Sequence, residues 1–388
     1  MTTKKDGMVV LQSRAYKIVD QSFTDWESEV EGKWTYADII RRKDYVHGWI
    51  SITSLLNDEA GGRIYAGIGS FDTNLLYAFD RGTRTFENLH YRKVADRYDA
   101  KFHCSLEMDG NGDVYGAVAQ FHDLDLQFVA KGGRVVKYDP ADGSYQFLGT
   151  PVPGSYIQSL ALDRRRRRLY GFTLSPEYLF ELDLTTGQSR VVMTVGNSFE
   201  LCQPHNPVLD DDGYVWGTYG ITRAFLYDTG EDSIRLFKYD PDSGEVEFFR
   251  YGLPRIGHGD KGKVDRAINI GDGYLYFGGV SGSFSRLNPR TGEIKSYGKP
   301  CPNRRLAGLC AGKDGCLYGV GGDQYYVTVF RFHPGTERLE TLGRIYDETI
   351  QDAPARIHAI TMTDDGVLYC GENDNNHRSS YLWEVRFT

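Results

Sequence analysis

Nine histidines are spread over 388 residues, and two of them carry the first chemical signal. His103 in YDAKFHCSL and His122 in AQFHD bracket a stretch that reads as strand, turn, strand. β-Prone residues run over Phe102–Met108, a turn rich in Gly, Asn and Asp covers Asp109–Asp113, and a second strand covers Val114–Ala119. A hairpin returns its two ends to one edge, so both imidazoles are expected at a common rim. Similar strand-opening positions elsewhere hold His47 and Trp49, Lys101, Tyr156 and Gln158, Gln203 and His205, Asp265 and Arg266, Arg304 and Arg305, and Arg356 and His358. Positions after second strands hold Asp72, Tyr178, Arg223, Asp323 and His377. Taken singly, each is what a water-lined channel would carry. Taken together, His, Tyr and Arg suit general acid–base work on an anionic substrate, because imidazole titrates near neutrality and arginine holds a carboxylate bidentately.

The elements that must position these residues come from a repeat. A Tyr or Trp close before a Gly recurs in RIYAG (Tyr65), DVYG (Tyr115), RLYG (Tyr170), YVWG (Trp216), YLYFGG (Tyr276), CLYG (Tyr318) and VLYCG (Tyr369). Copies with a period of roughly 50 residues and four strands each are the sequence form of a β-propeller blade. A third and fourth strand follow each of the first six motifs, as in RVVKYDPADGSYQFL and RLFKYDPDSGEVEFF. The seventh copy supplies only three strands, and Met8–Tyr16 is expected to provide the fourth and close the ring. The reading is therefore all-β: one domain over 1–388, a seven-bladed β-propeller of four-stranded antiparallel blades, with 17–46 as an irregular excursion before the first blade. The excursion holds Trp26, Trp34, Arg41 and Arg42. The WD dipeptide is missing, so this is a divergent propeller.

Composition agrees. Twenty-seven Tyr, 20 Phe and 45 Gly suit many short strands joined by turns. A formal charge of −8 argues against a nucleic-acid partner, and no apolar run approaches the roughly 20 residues of a membrane helix. The first residues lack a secretory apolar stretch, which points to the cytoplasm. Six scattered cysteines read as free buried thiols, with Cys310 and Cys316 as such rather than as a metal pair. Asp109, Asn111 and Asp113 imitate the start of a calcium loop, but Gln120 stands where its glutamate belongs, so a hairpin turn is expected. The run Arg164–Arg168 reads as a solvated turn on the face opposite the histidines.

The two-histidine hairpin within such blades resembles the seven-bladed propeller polysaccharide lyases, namely the ulvan lyases and rhamnose–glucuronate lyases. The blade pattern carries the resemblance over most of the chain, and its specific part lies in blades two and three. It implies that His103 and His122 form a catalytic pair and that Tyr156 is the catalytic tyrosine. The family's carboxylate-binding arginine has no counterpart, since Phe172, Thr173 and Leu174 occupy its place; Arg223 or Arg266 is expected to substitute. His205, Arg305 and His358 complete the expected substrate-binding set. The implied activity is β-elimination on a uronic-acid-containing oligo- or polysaccharide, with an anionic oligosaccharide as partner. It needs no cofactor, and a divalent metal that is structural or neutralises the carboxylate is compatible with it. A rhamnosidase-like hydrolase, which would normally need two spaced carboxylates, and a non-catalytic binding propeller are the competing readings.

Overall fold

A computed structural model describes residues 11–20, 35–72, 74–196, 201–202, 205–225, 230–375 and 378–387. The strands fall into five four-stranded sheets and one larger sheet. The larger sheet is two such units, joined through the pairing of Gly69 with Lys101. Each unit's first strand packs beside the first strands of its two neighbours, and Ser51–Asp58 packs on Ile357–Met362 to complete a closed ring of seven. The seventh unit takes its outer strand from the other end of the chain. Leu11–Tyr16 pairs antiparallel with Leu382–Phe387, from Leu11 opposite Phe387 to Tyr16 opposite Leu382. The expected closing strand is thus present; its first residues, 8–10, lie outside the described residues.

The repeated aromatic–glycine pair has a packing explanation. The aromatic residues are buried, from Tyr65 to Tyr369. Several anchor a polar tip on an acid in or beside a hairpin turn: Tyr115 on Asp109, Tyr276 on Asp272, Tyr318 on Asp314, and the Trp216 indole on Asp210. The following glycines lie against another strand. A Cβ at Gly116 would sit 2.5 Å from the Phe102 ring, at Gly278 2.2 Å from the Leu306 carbonyl, and at Gly371 2.6 Å from the Ile52 carbonyl. Contacts below about 3 Å cannot be relaxed within a close-packed interior without moving backbone, so glycine is required wherever blades approach this closely.

Two expected elements differ. The segment 17–46 is not wholly irregular: Tyr36–Ile39 and Lys43–Gly48 form short helices, the first opened by a capping box in which Thr35 and Asp38 satisfy each other. Trp26 and Trp34 lie outside the described residues, and His47 belongs to the second helix rather than to a strand start. The expected strand Phe102–Met108 is broken. It runs Asp99–Phe102, leaves the sheet, and resumes at Glu107–Met108. Tertiary contacts account for the break: Cys104 adopts a left-handed backbone, φ 44°. Its N–H reaches the Thr53 carbonyl of blade one and its carbonyl accepts from Leu160 N–H of blade three.

The arginine run is more than a solvated turn. Arg166 bridges Asp163 and Asp242, and Arg164 donates to the Met108 carbonyl, so the turn ties blade three to both its neighbours. The Asp109 loop is a hairpin turn as expected, with Asp109 accepting from the N–H groups of Asn111 and Asp113. All six cysteines are free and buried. No helix among the described residues is long and apolar enough to cross a membrane.

Candidate functional site

The innermost strands carry a shared irregularity that aims side chains at the axis. The antiparallel register slips by one residue in blades one, two, three, five and seven, leaving Thr53, Ala100, Gln158, Asp265 and His358 as the extra residues. A bulge of this kind bends a strand and redirects its side chains. The break after Phe102 does the same for His103. In blade four, Asn206 clamps Ala267 of blade five through both its N–H and its carbonyl, which fixes the neighbouring His205.

The result is a cluster that sequence order conceals. His103, His205 and His358 come from blades two, four and seven, yet their rings lie 4.4 Å (His103 to His358), 5.4 Å (His205 to His358) and 5.6 Å (His103 to His205) apart. Tyr156 joins them, its ring 6.3 Å from that of His103 and 5.6 Å from Phe121. Phe121 in turn packs on Trp49, so the helical excursion helps wall the rim.

The hydrogen bonds fix two tautomers. His103 Nδ1 lies 2.8 Å from the Gln158 carbonyl and His205 Nδ1 3.2 Å from the Val264 carbonyl. A carbonyl can only accept, so both Nδ1 atoms carry the proton and both Nε2 atoms keep a lone pair. Asp265, 1 % exposed, also stands 3.3 Å from His205 Nδ1, and Arg305 grips that carboxylate with two bonds. His358 Nδ1 meets the Cys104 thiol at 3.4 Å. Burial pushes all three imidazoles below the ordinary histidine range, with the Lys101 charge adding to the effect at His103 and the His103 ring at His358; at His205, Asp265 partly opposes it. The expectation that these residues titrate near neutrality is therefore corrected, because a desolvated site disfavours the imidazolium. At neutral pH the cluster is uncharged.

Lys101 is the residue that sequence reasoning undervalued. It is 8 % exposed and its charge acts on all three histidines, yet no ion pair to it is found among the described residues. Its signal was present in the sequence: it stands two positions before His103 at the same strand opening. The other expected residues separate. His122 packs against Tyr98 and its Nδ1 donates to the Asp123 carbonyl. No ring contact or hydrogen bond joins it to His103 among the described residues. Arg223 is exposed. The Arg266 charge acts on Cys104, Glu107 and Cys310. Arg305 alone of the three arginines sits against the histidines, already committed to Asp265. Gln203 and His377 lie outside the described residues.

Comparison with known proteins adds the architecture. No family model matches, and no curated protein matches. Among solved structures, a streptogramin B lyase matches with TM-score 0.61 at 14% identity, covering 95% of this chain and 98% of its own. The fold is that of a β-propeller. A catalytically inactive histidine-to-alanine variant of virginiamycin B lyase from Staphylococcus aureus, solved with quinupristin, matches with TM-score 0.59 at 12% identity, covering 94% of this chain and 98% of its own. The WD40 repeats of RRP9 match with TM-score 0.58 at 11% identity, over 87% of this chain and 95% of that one. At such identities the likeness concerns the fold.

Proposed function

We propose that this chain is a carbon–oxygen lyase that cleaves a uronic-acid-containing oligo- or polysaccharide by β-elimination at the three-histidine mouth, with the cytoplasm as its setting. The observation that carries the reading is the meeting, in one place, of lone-pair imidazoles, a phenol and a cation that has no ion pair among the described residues. β-Elimination removes the weakly acidic proton beside a carboxylate and expels the glycosidic oxygen, so it needs a positive partner for the carboxylate, a base, and an acid. Lys101 is the partner, backed by the Arg305–Asp265 pair. His103 Nε2 is the proton acceptor. Tyr156, in ring contact with His103, delivers a proton to the leaving oxygen. The lyase names of two structural neighbours agree with this class of chemistry, though those proteins act on other substrates.

A glycosidase would need a pair of available carboxylates. Asp265 is held by Arg305 and His205, and Asp72 is occupied by Ser70 and the Asn74 N–H. The test is a panel of uronate oligosaccharides monitored for an ultraviolet-absorbing unsaturated product, run in isotopically labelled water. A lyase yields the chromophore without incorporating solvent oxygen. Lys101→Ala and Tyr156→Phe should each slow turnover about a hundredfold or more, while His122→Ala should change it little. The reading fails if no unsaturated product forms across the panel, or if both slow variants keep full rate on the substrate that is found.

A further inference from the structure

The three imidazoles also form a set of ligand nitrogens from three different blades. The Nδ1 protons of His103 and His205 are spent on backbone carbonyls, and no hydrogen bond reaches either Nε2 among the described residues. One ring nitrogen from each of His103, His205 and His358 lies within 4.8 Å of the others, in a buried setting. Ring nitrogens this close together in a buried setting need a donor or a cation between them wherever they present lone pairs, because buried polar atoms are rarely left without a partner.

We propose that His103, His205 and His358 bind one divalent transition metal at the mouth of the central channel. Three nitrogens spaced up to 4.8 Å apart all lie within about 2.8 Å of a common centre. Each therefore needs to move by less than about 1 Å to reach the 2.0–2.1 Å of a zinc–imidazole bond. Side-chain rotation alone supplies that. The surrounding contacts have the form expected behind metal-bound histidines, whose second nitrogen is usually donated to a carbonyl or carboxylate. His103 and His205 each donate Nδ1 to a carbonyl, and Asp265 adds a carboxylate beside His205 that Arg305 holds in place.

The donor type narrows the ion. Imidazole favours zinc, iron, cobalt, nickel or copper over magnesium and calcium, which prefer oxygen. A fourth donor is within the same ring of bulges. Gln158, 3 % exposed, occupies in blade three the strand position that His358 occupies in blade seven, and its Oε1 has no hydrogen-bond partner among the described residues. The local charge sets the remaining position. Lys101 and Arg305 against Asp265 leave one surplus positive charge before any metal arrives, so the ion would carry an anionic ligand in its open site, either hydroxide or a carboxylate. A His103 Nε2 bound to the ion could not also act as the base of the elimination, so the metal site does not rest on the lyase reading and would compete with it.

The site is tested by titrating chelator-treated protein with Co(II), which reports nitrogen ligation through visible absorption, and by measuring bound metal in the untreated protein by mass spectrometry. One equivalent of Co(II) should bind and be displaced by Zn(II), without the near-ultraviolet band of a thiolate ligand, since Cys104 faces Nδ1 of His358. His205→Ala and His358→Ala should abolish the signal, and Asp265→Asn should weaken affinity about 10–100-fold, with near-ultraviolet circular dichroism confirming that each variant is folded. Absence of any stoichiometric metal in the parent protein under both measurements overturns the proposal, as does unchanged Co(II) affinity in a folded His358→Ala chain. Because the readout is metal rather than turnover, the site can stand where the lyase reading falls, and the reverse.

Discussion

Glu372 offers a sharp test of how the last blade is held. Its carboxylate is fully buried and receives five donors. Oε1 accepts from the Ala355 N–H and the Asn375 amide, and Oε2 from Arg378, the Tyr381 N–H and the Trp383 indole. Glutamine is usually the mild replacement for glutamate. Here it should not be, because whichever way the amide is turned its NH2 faces at least two donors, and Arg378 loses one of its two carboxylates. Each buried group left unsatisfied costs about 1–3 kcal/mol, and breaking a buried ion pair from one side costs about 3–5 kcal/mol. Asp352 still holds Arg378 at 2.8 Å, which keeps Glu372→Gln near the lower end, at about 3 kcal/mol. Chemical denaturation monitored by tryptophan fluorescence reads this directly. The double variant Glu372→Gln/Arg378→Met should recover part of the loss, since it removes the stranded charge. If Glu372→Gln lies within 1 kcal/mol of the parent, or the double variant is worse than the sum of its parts, the reasoning about donor crowding is wrong.

Burial raises the Glu107 carboxyl to about 7, with Arg266 and Arg164 opposing. The folded chain therefore keeps a proton between the unfolded value near 4.5 and about 7, and stability from this group falls as pH rises through that window, by about 3 kcal/mol at pH 8. The buried histidines act in the opposite sense, with lowered folded values that cost stability as pH falls below their ordinary range, so the difference between Glu107→Gln and the parent isolates the carboxyl. That difference should grow from pH 5 to pH 8 in thermal melts, and a flat difference would contradict it. Gly278→Ala, whose Cβ would meet backbone, should cost about 1–3 kcal/mol and disturb the adjoining Leu306 and Arg305, whereas Gly335→Ala, with nothing within 4 Å, should be neutral in the same denaturation assay.

The propeller was legible because the signal that marks it is local and physically forced. An aromatic residue that fills a blade and a glycine that another strand presses against must occur in every copy, so seven copies could be counted. The outer strand of the last blade was legible for a different reason: one copy was a strand short, and a β-prone segment lay spare at the other end of the chain. The site was legible residue by residue but not as an assembly. His205 and His358 lie 102 and 255 positions from His103, and nothing in KFHCSL announces that Cys104 will turn into a left-handed conformation under contacts from blades one and three. The hairpin argument placed His103 and His122 by assuming an unbroken strand, and the strand is interrupted just where His103 stands. Lys101 was visible at its strand opening, but its burial beside three histidines is a property of the folded channel.

The pairing of Leu11–Tyr16 with Leu382–Phe387 has a consequence for the order of events as the chain is made. Tyr16 and Leu382 are 366 positions apart, so the first strand leaves the ribosome with no partner and waits through the synthesis of all the others. Closing a loop of that length costs roughly 5 kcal/mol in chain entropy, recovered only when the final strand arrives and both ends dock together. Until then two strand edges stay open, on Leu11–Tyr16 and on the unfinished last blade, and these are the surfaces through which a nascent chain would join a neighbour instead of itself. Slow translation over the last blade would therefore lengthen the interval of greatest exposure, and a chaperone that shields the N-terminal strand would shorten it.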